Sequence, residues 1–307
     1  MYIFSMKQLS QEKRVQIVHA LVEGVSLRAT ARIADVSLNT VSKLLRDMGD
    51  VCSSYHDANV RGLKSERIQA DEIHSFTYAR EKHVPAEKRG QPGYGDTWTW
   101  TALDPDTKLI VSYLVGSRDG WTAFDFMQDV AARIVSERVQ VTTDGFNGYL
   151  GAVGAAFGER VDFAMLVKIY GLPWKGLTRA ERRFAPTECI GVQRQTIQGA
   201  PDPSHISTSF VERQNLTMRM GMRRFTRLTN GFSKKVENHC FAVALHFMYY
   251  NFCRVHKTLR VTPAMEAGIA DHIWTIGQLV GLLEAKEQAA IEAGAMKRGP
   301  YGPRKAS

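Results

Sequence analysis

Residues 141–149 read VTTDGFNGY, a β-branched run that ends in an acid and a glycine. The run predicts a strand, and Asp144 occupies its last position, directly before Gly145. An isolated Asp-Gly after a strand is most often a simple turn or cap, which is the alternative to a functional aspartate. The choice between them depends on which other carboxylates the fold brings to the same place.

The segments around this stretch predict a mixed sheet flanked by helices. RIQADEIHSFTYAR (67–80) reads as a strand with Asp71 and Glu72 in its middle. Residues 96–116 form two alternating runs around Asp104-Pro105-Asp106, which predicts a hairpin. A helix is expected from Trp121, followed by the strands VQVTTD and DFAMLVKIY. This order of strand, hairpin, helix and strand is typical of an α/β fold.

Two strands of such a sheet can place Asp71 beside Asp144. A carboxylate within an apolar strand is costly unless it is paired or binds a metal ion. Successive residues of a strand point to opposite faces, so only one of Asp71 and Glu72 is expected to face the site. Asp144 is therefore predicted to end its strand where it can meet Asp71 across the sheet.

A third acid is predicted on a helix within ISTSFVERQNLTMRMGMRRF (206–225), where Ser207, Thr208 or Ser209 can be the cap. Glu212 and Arg219 are seven residues apart, which places them on nearly the same helix face two turns apart. In isolation the pair would be an ordinary solvated face. Together with Asp71 and Asp144, we interpret Glu212 as an acid for metal binding and Arg219 as a phosphate contact.

Three other residues are weaker candidates for the same chemistry. Asp162 is an alternative to Asp144, although it begins its strand rather than ending it. His205 and His256 could contact phosphate or metal, but a packed or surface histidine is the simpler interpretation of each.

The charge of the chain favours a polyanionic partner. The 307 residues carry a formal net charge of +9. Thirteen basic and only four acidic residues lie between Lys168 and Lys235, so this stretch alone carries as large an excess as the whole chain. No run approaches the roughly 18 to 20 apolar residues of a membrane span, and the start lacks a signal-peptide core. Four separated cysteines without a CxxC pair predict reduced thiols in a cytoplasmic protein.

The first fifty residues predict a helix-turn-helix. Helical spacing ends near Gly24, and Ser26 and Ser37 occupy cap positions before two further helices. The last helix of this pattern would enter the major groove, with a small three-helix domain as the alternative. The candidate DNA contacts are Arg28 and Arg32 for phosphates and Asn39, Thr40, Lys43 and Arg46 for base edges.

Several quoted motifs together resemble the insertion sequence one family of bacterial DDE transposases. They are ADEIHSF (70–76), TTDGFNGY (142–149) and the long stretch from VERQN to MYYNF (211–252). The resemblance covers roughly residues 66 to 255 and is strongest over 207–251. It departs from the family in two places: the first sixty residues lack a zinc-binding cysteine pair, and residues 171–206 form a long Pro- and Arg-containing insertion or flap.

The resemblance implies a ribonuclease H-like core and phosphoryl transfer that depends on two Mg²⁺ or Mn²⁺ ions. Asp71, Asp144 and Glu212 would hold the ions, with Asp71 shared between them. The implied partners are double-stranded DNA, as terminal inverted repeats and as target DNA, and a second copy of the chain. Arg219, Arg223 and Arg224 are the expected DNA contacts of this core.

The predicted organisation is therefore a helix-turn-helix domain (1–50), a linker (51–65), a ribonuclease H-like catalytic domain (66–260) and a C-terminal helix with a basic tail (261–307). The predicted activity is transposition: binding of element ends, strand cleavage and strand transfer in a bacterial cytoplasm, at the nucleoid. A DNA-binding repressor, a domesticated transposase that binds without cutting, and a nuclease of the same fold without strand transfer remain alternatives.

Overall fold

A computed structural model describes residues 9–171, 189–226 and 229–294. In chain order the helices are α1 (Gln11–Val22), α2 (Leu27–Ile33), α3 (Leu38–Asn59), α4 (Gly120–Arg133), α5 (Gly148–Phe157), α6 (Ser209–Gly221), α7 (Val236–Phe252), α8 (Pro263–Glu266) and α9 (Ile276–Glu292), and the strands are β1 (Arg67–Thr77), β2 (Gly95–Leu103), β3 (Ile110–Gly116), β4 (Val139–Asp144), β5 (Val161–Tyr170) and β6 (Cys189–Gln198). The chain divides into a helical unit (Met1–Asn59, Gly221–Arg223 and Glu237–Ser307) and a sheet unit (Val60–Met220 and Arg224–Val236).

The sheet unit is built on six strands in the order β3-β2-β1-β4-β5-β6. Strands β1, β2 and β3 form an antiparallel meander, and β4 and β5 continue the sheet parallel to β1. An antiparallel meander beside parallel strands, joined through helices α4 and α5, is the ribonuclease H-like topology. The predicted fold class of a mixed sheet flanked by helices is confirmed.

The core of this unit lies where α4 and α5 cover the sheet. Trp100 of β2 is fully buried, with its ring centroid 5.8 Å from that of Phe126 on α4 and 5.5 Å from that of Tyr149 on α5. Burial of three large aromatic side chains is a strong stabilising contribution. These contacts fix α5, and with it the loop that follows Asp144.

The hairpin between β2 and β3 forms where the sequence predicts it. The Asp104 side chain accepts hydrogen bonds from the backbone N–H of Asp106 at 2.8 Å and of Thr107 at 3.2 Å. An aspartate that binds the backbone two and three residues ahead stabilises a tight turn. Asp104 is therefore a turn-forming residue.

The helical unit begins with three helices, and the second and third are capped by the two serines that the sequence predicts. The Ser26 side chain accepts from the backbone of Ala29 at 3.2 Å, and that of Ser37 accepts from Thr40 at 3.1 Å. Between α2 and α3 the chain turns through Asp35, whose φ of 51° lies in the left-handed region that aspartate tolerates. The short connection between α2 and α3 is compatible with a helix-turn-helix.

The linker predicted from residue 51 is wrong over its first nine residues, because α3 continues to Asn59. The apolar side of α3 extends through Met48, Val51 and Cys52, all buried. Gly49 lies within α3 and does not end it. A Cβ added at Gly49 would lie 2.3 Å from the Cβ of Phe241. This glycine lets α3 and α7 approach closely, a packing role that the sequence alone does not distinguish from helix termination.

The last helices belong to the helical unit, whereas the predicted catalytic domain (66–260) includes α7. Tyr55 of α3, Phe252 of α7 and Trp274 form an aromatic cluster with ring centroids 5.0 to 5.6 Å apart. Arg14 of α1 forms a 2.9 Å ion pair with Glu287 of α9. The apolar stripe of α7 thus serves packing among helices.

The predicted insertion, residues 171–206, is partly a strand. Residues 189–198 form β6, which pairs antiparallel with β5 and extends the sheet. Residues 172–188 and the basic tail after residue 294 lie outside the described residues. Within the described ranges, no helix combines the length and the apolar character that a bilayer crossing requires.

Candidate active site

Acids of β1 and β4 meet where the parallel pairing of these two strands ends. Parallel pairing of the two strands runs to Ala70 and Thr143, so the next residues, Asp71 and Asp144, leave the ladder side by side. Asp71, Glu72 and Asp144 each place a carboxylate oxygen within 4.8 Å of those of the other two. We call these three residues the acid cluster. Asp71 and Asp144, which are 73 positions apart in the sequence, are thus neighbours in the sheet.

Glu72 also reaches the acid cluster, against the expectation that only one of Asp71 and Glu72 would face the site. Asp144 is the last residue of β4, so it is not confined to one face of the sheet. Glu72 is held from the opposite side to Asp71: Arg118 Nε donates to its Oε1 at 2.5 Å and Tyr149 Oη donates to its Oε2 at 3.0 Å. Its side chain is only 1% exposed.

Arg118 and Tyr149 were missed by the sequence analysis. Arg118 also lies 3.5 Å from Asp144 through its Nη2, and its guanidinium lies over the rings of Phe146 and Trp98. The sequence carries little signal for either residue, because Arg118 belongs to a polar loop before α4 and Tyr149 belongs to an apolar helix. Their proximity to Asp144 arises only from the fold.

Helix α6 approaches β1 from the side of Asp71. Gln69 Oε1 accepts from the first backbone N–H groups of α6, those of Phe210 at 2.9 Å and Val211 at 3.2 Å. Two residues along the same strand face, Asp71 Oδ2 accepts from Asn215 Nδ2 at 2.8 Å. Alternate residues of β1 therefore dock the helix that carries Glu212.

Glu212 lies near the acid cluster but is engaged with other residues. Its Oε2 pairs with Lys168 Nζ at 2.5 Å, and its Oε1 accepts from Thr208 Oγ1 at 2.5 Å. Its charge contributes to raising the pKa of both Asp71 and Asp144. Helix α6 thus places a further carboxylate within electrostatic reach of the cluster.

All three cluster acids hold their protons more tightly than free carboxylic acids. Burial, followed by repulsion from Asp144 and Glu72, raises the pKa of Asp71 to about 7. Burial also raises the pKa of Asp144, against the N–H of Phe146 and the charge of Arg118. The pKa of Glu72 is raised by burial and by Asp144, and Arg118 and Tyr149 oppose this shift. Ionising the whole cluster is therefore unfavourable without an added cation.

The donor set fits a hard divalent cation. Carboxylate and amide oxygens are the ligands that Mg²⁺ and Mn²⁺ prefer, and the cluster supplies carboxylates from two strands. Beside it, the side-chain oxygen of Asn215 is buried and has no hydrogen-bond partner in the described part of the chain. The arrangement offers negative charge and unsatisfied oxygen at one place.

The weaker candidates lie outside this group, which among the described residues contains no histidine. Asp162 pairs with Arg138 through two contacts of 2.6 Å and accepts from the backbone of Ala200 at 2.6 Å. The hydrogen bond from Arg138 lowers the pKa of Asp162. His205 contacts Arg67, and His256 contacts Thr258 at 3.0 Å in the helical unit.

The predicted DNA contacts of the helical unit are mostly exposed. Its exposed candidates are Arg28, Arg32, Asn39, Lys43 and Arg46, and Thr40 is half-buried beside Ser37. Lys43 forms an ion pair of 2.5 Å with Asp47 one turn along α3. This face offers basic and amide groups to solvent.

The three arginines predicted to bind DNA after Glu212 differ in their surroundings. Arg223 is exposed and Arg219 is half-buried. Arg224 donates through Nε to Ser233 Oγ at 2.7 Å, and burial lowers its pKa to about 10. Arg224 is therefore held within the protein, unlike Arg223.

Comparisons with known proteins find likeness in solved structures. No protein-family model matches the sequence, and no curated protein matches it. A synaptic complex of piggyBac transposase with hairpin DNA is similar over 99% of this chain and 76% of its own, at 10% identity and a TM-score of 0.42. A Mos1 mariner paired-end complex with Mn is similar over 81% of this chain and 78% of its own, at 9% identity and a TM-score of 0.28. Because both TM-scores lie below 0.5, the ribonuclease H-like assignment rests on the strand order of the sheet.

Proposed function

We propose that this chain is a DDE-type transposase, which binds the ends of a DNA element and cleaves and joins DNA strands with divalent cations. The observation that carries the proposal is the acid cluster: Asp71 and Asp144 meet where the pairing of β1 and β4 ends, half-buried, with raised pKa values. Perturbed carboxylates that repel one another at the edge of a fold are typical of functional sites. The ribonuclease H-like sheet and the net charge of +9 support DNA as the substrate.

In this proposal Asp71 and Asp144 hold the cations, and Glu212 of α6 supplies the third carboxylate. Bound divalent ions polarise the scissile phosphate and activate the attacking and leaving oxygens. The chain positions the acids: α6 is docked on β1 through Gln69 and Asn215. No side chain is required to act as a nucleophile, because water and a DNA 3′-hydroxyl can serve in turn.

Glu72 is assigned a positioning role. Both of its oxygens are engaged, by Arg118 and by Tyr149, and the side chain is closed to solvent. Arg118 bridges Glu72 and Asp144, so Glu72 holds the arginine that orients Asp144. Lys168, paired with Glu212, is placed to contact a DNA phosphate once the carboxylate binds a cation.

The helical unit is proposed to recognise the element ends. Ser37 begins α3, and the exposed side chains of its first turns, including Asn39 and Lys43, suit the reading of base edges. Arg28 and Arg32, both on α2, suit contacts with DNA phosphates. A working complex on DNA is proposed to contain two or more copies, one for each end.

The test uses the purified full-length chain, Mg²⁺ and the DNA that flanks its own reading frame. We expect the parent to nick at the element ends and then to join them to target DNA. Asp144→Asn should bind the ends as tightly as the parent, by gel shift, and should not nick, because one cation ligand is lost while the DNA-binding surface is unchanged.

Three outcomes would contradict the proposal. A parent that shifts the ends and never nicks them is a repressor or a domesticated binder. A parent that cuts without joining is a nuclease. Nicking by Asp144→Asn at the parental rate would show that Asp144 has no part in the chemistry.

For the third acid, Glu212→Gln should abolish nicking, whereas Glu72→Gln should only reduce it. The reverse result would give the third position to Glu72.

A further inference from the structure

One polar side chain beside the acid cluster has an unsatisfied atom that the proposed acids do not explain. Asn215 lies on α6, three residues after Glu212, on the same face of the helix. It is only 4% exposed. Its Nδ2 donates to Asp71 Oδ2 at 2.8 Å, while its Oδ1 has no partner in the described chain.

An unsatisfied buried carbonyl has a cost. Leaving a buried acceptor unpaired destabilises a protein. Such atoms are rare in folded proteins, and each one calls for a ligand, a water or a functional reason. In Asn215 the unpaired oxygen shares its amide carbon with a nitrogen that already contacts Asp71. The oxygen is therefore held within a few ångströms of the carboxylate proposed to carry a cation.

The contacts of Asp71 leave room for such a role. Its Oδ1 accepts from the backbone N–H of Glu72 at 2.8 Å, and its Oδ2 accepts from Asn215. Each carboxylate oxygen thus keeps further lone-pair capacity. Amide oxygens are hard donors of the kind that Mg²⁺ and Mn²⁺ bind beside carboxylates.

We propose that Asn215 supplies an oxygen ligand, its Oδ1, to the divalent cation held by Asp71, while its Nδ2 orients that carboxylate. The inference rests on the proposed function, because it requires a cation at Asp71. Asn215 would be a fourth oxygen donor beside Asp71, Asp144 and Glu212. Because Asn215 lies on α6, the docking of this helix on β1 would depend on the cation. Cation binding would then tighten the contact between α6 and β1.

The experiment measures Mn²⁺ binding without DNA and without turnover. The probe is Mn²⁺ alone, titrated into full-length protein and followed by the paramagnetic signal of the free ion, with thermal unfolding with and without Mn²⁺ as a second readout. Asn215→Leu removes both the donor and the acceptor at similar size. We expect it to weaken Mn²⁺ binding by about tenfold or more and to lose most of the thermal shift that Mn²⁺ gives the parent.

Two further variants separate the oxygen from the N–H group. Asn215→Asp keeps a side-chain oxygen and loses the donor, so it should bind Mn²⁺ at least as tightly as the parent. Leu216→Asp adds the same charge at an exposed neighbouring position, 41% exposed, and should leave the affinity unchanged. This control shows whether any gain in Asn215→Asp comes merely from the added charge.

The outcomes are distinguishable. Parental Mn²⁺ affinity in Asn215→Leu would overturn the inference and leave the proposed function intact. Weak binding by Asn215→Asp, equal to that of Asn215→Leu, would also overturn it, since Asn215 would then act only as a donor to Asp71. If the parent and Asp144→Asn both fail to bind Mn²⁺, the proposed cation site falls, and the inference with it. If Asn215→Leu does not fold, the Mn²⁺ affinity of Asn215→Asp, compared with that of Leu216→Asp, tests the inference instead.

Discussion

The segment over which β1 and β4 pair, residues 67–70 with 140–143, has acids in opposite arrangements at its two ends. At the amino end two acids each have their own arginine: Arg67 pairs with Asp106, and Arg138 pairs with Asp162. At the carboxyl end, Asp71 and two other acids face one another, and Arg118 is shared between two of them. An acid matched to a cation helps to hold the fold, whereas acids that repel each other cost stability.

The pKa values express the same contrast. The pKa of Asp162 is lowered, first by its hydrogen bond to Arg138. Burial and two neighbouring acids raise the pKa of Asp71 to about 7. Both residues lie in the sheet of one unit, so the difference arises from the neighbours that each strand end supplies.

The largest expected difference between the two ends is in activity. Asp71→Asn should reduce Mg²⁺-dependent nicking of the element ends at least about a hundredfold, because it removes a cation ligand and the developing charge loses its stabilisation. Asp162→Asn, the matched change at the other end, should leave nicking close to the parental rate. Single-turnover cleavage assays measure both, and equal losses in the two variants would erase the proposed distinction.

A smaller effect is expected in the pH dependence of cation binding. A cation competes with the proton on Asp71, so Mn²⁺ affinity should fall by about tenfold per pH unit below about 7 and level off above it. Asp162→Asn should keep this break, and Asp71→Asn should lose it. Titrations in a pH series test this, and a parent with no change of slope near pH 7 would show that Asp71 is not the competing group.

The sequence predicts those features of the two groups of acids that depend on residues close together in the chain. It does not predict the contacts that depend on packing between distant elements. The strand VQVTTD and the acid at its end can be interpreted directly, because β-branched residues and a following glycine act locally. The meeting of Asp71 and Asp144 follows from parallel pairing, which the order of elements suggests. Arg118 and Tyr149 could not be predicted, since their contacts with Glu72 depend on how the loop before α4 and helix α5 pack.

The same limit explains the errors in the helical unit. The pattern predicts α1, α2 and the start of α3, because caps and apolar spacing are local signals. It places the end of α3 too early, because Gly49 looks like a helix terminator until Phe241 is seen against it. It assigns α7 to the catalytic domain, because an apolar helix does not specify its partner.

The smallest expected effect is on stability, and its sign differs between the two ends. Without divalent cations at about pH 8, Asp71→Asn should raise the free energy of unfolding by about 1 kcal/mol, because it removes a buried, repelled charge. Asp162→Asn should lower it by about 1 kcal/mol, because the ion pair with Arg138 is lost while the asparagine Oδ1 can still accept from the backbone of Ala200. Urea unfolding in the presence of a chelator measures both changes.

Lowering the pH separates the two causes. The pKa of Asp71 is higher in the folded state than the ordinary 3.8, so its stabilising contribution is complete below that value and is lost as the pH rises through about 7. The gain of Asp71→Asn should therefore shrink towards zero at about pH 5.5, where the parent carboxyl is protonated. The pKa of Asp162 is lowered, so its contribution persists at that pH and the loss in Asp162→Asn should remain. If both differences shrank together, general electrostatics, and not the two different neighbourhoods, would govern the two strand ends.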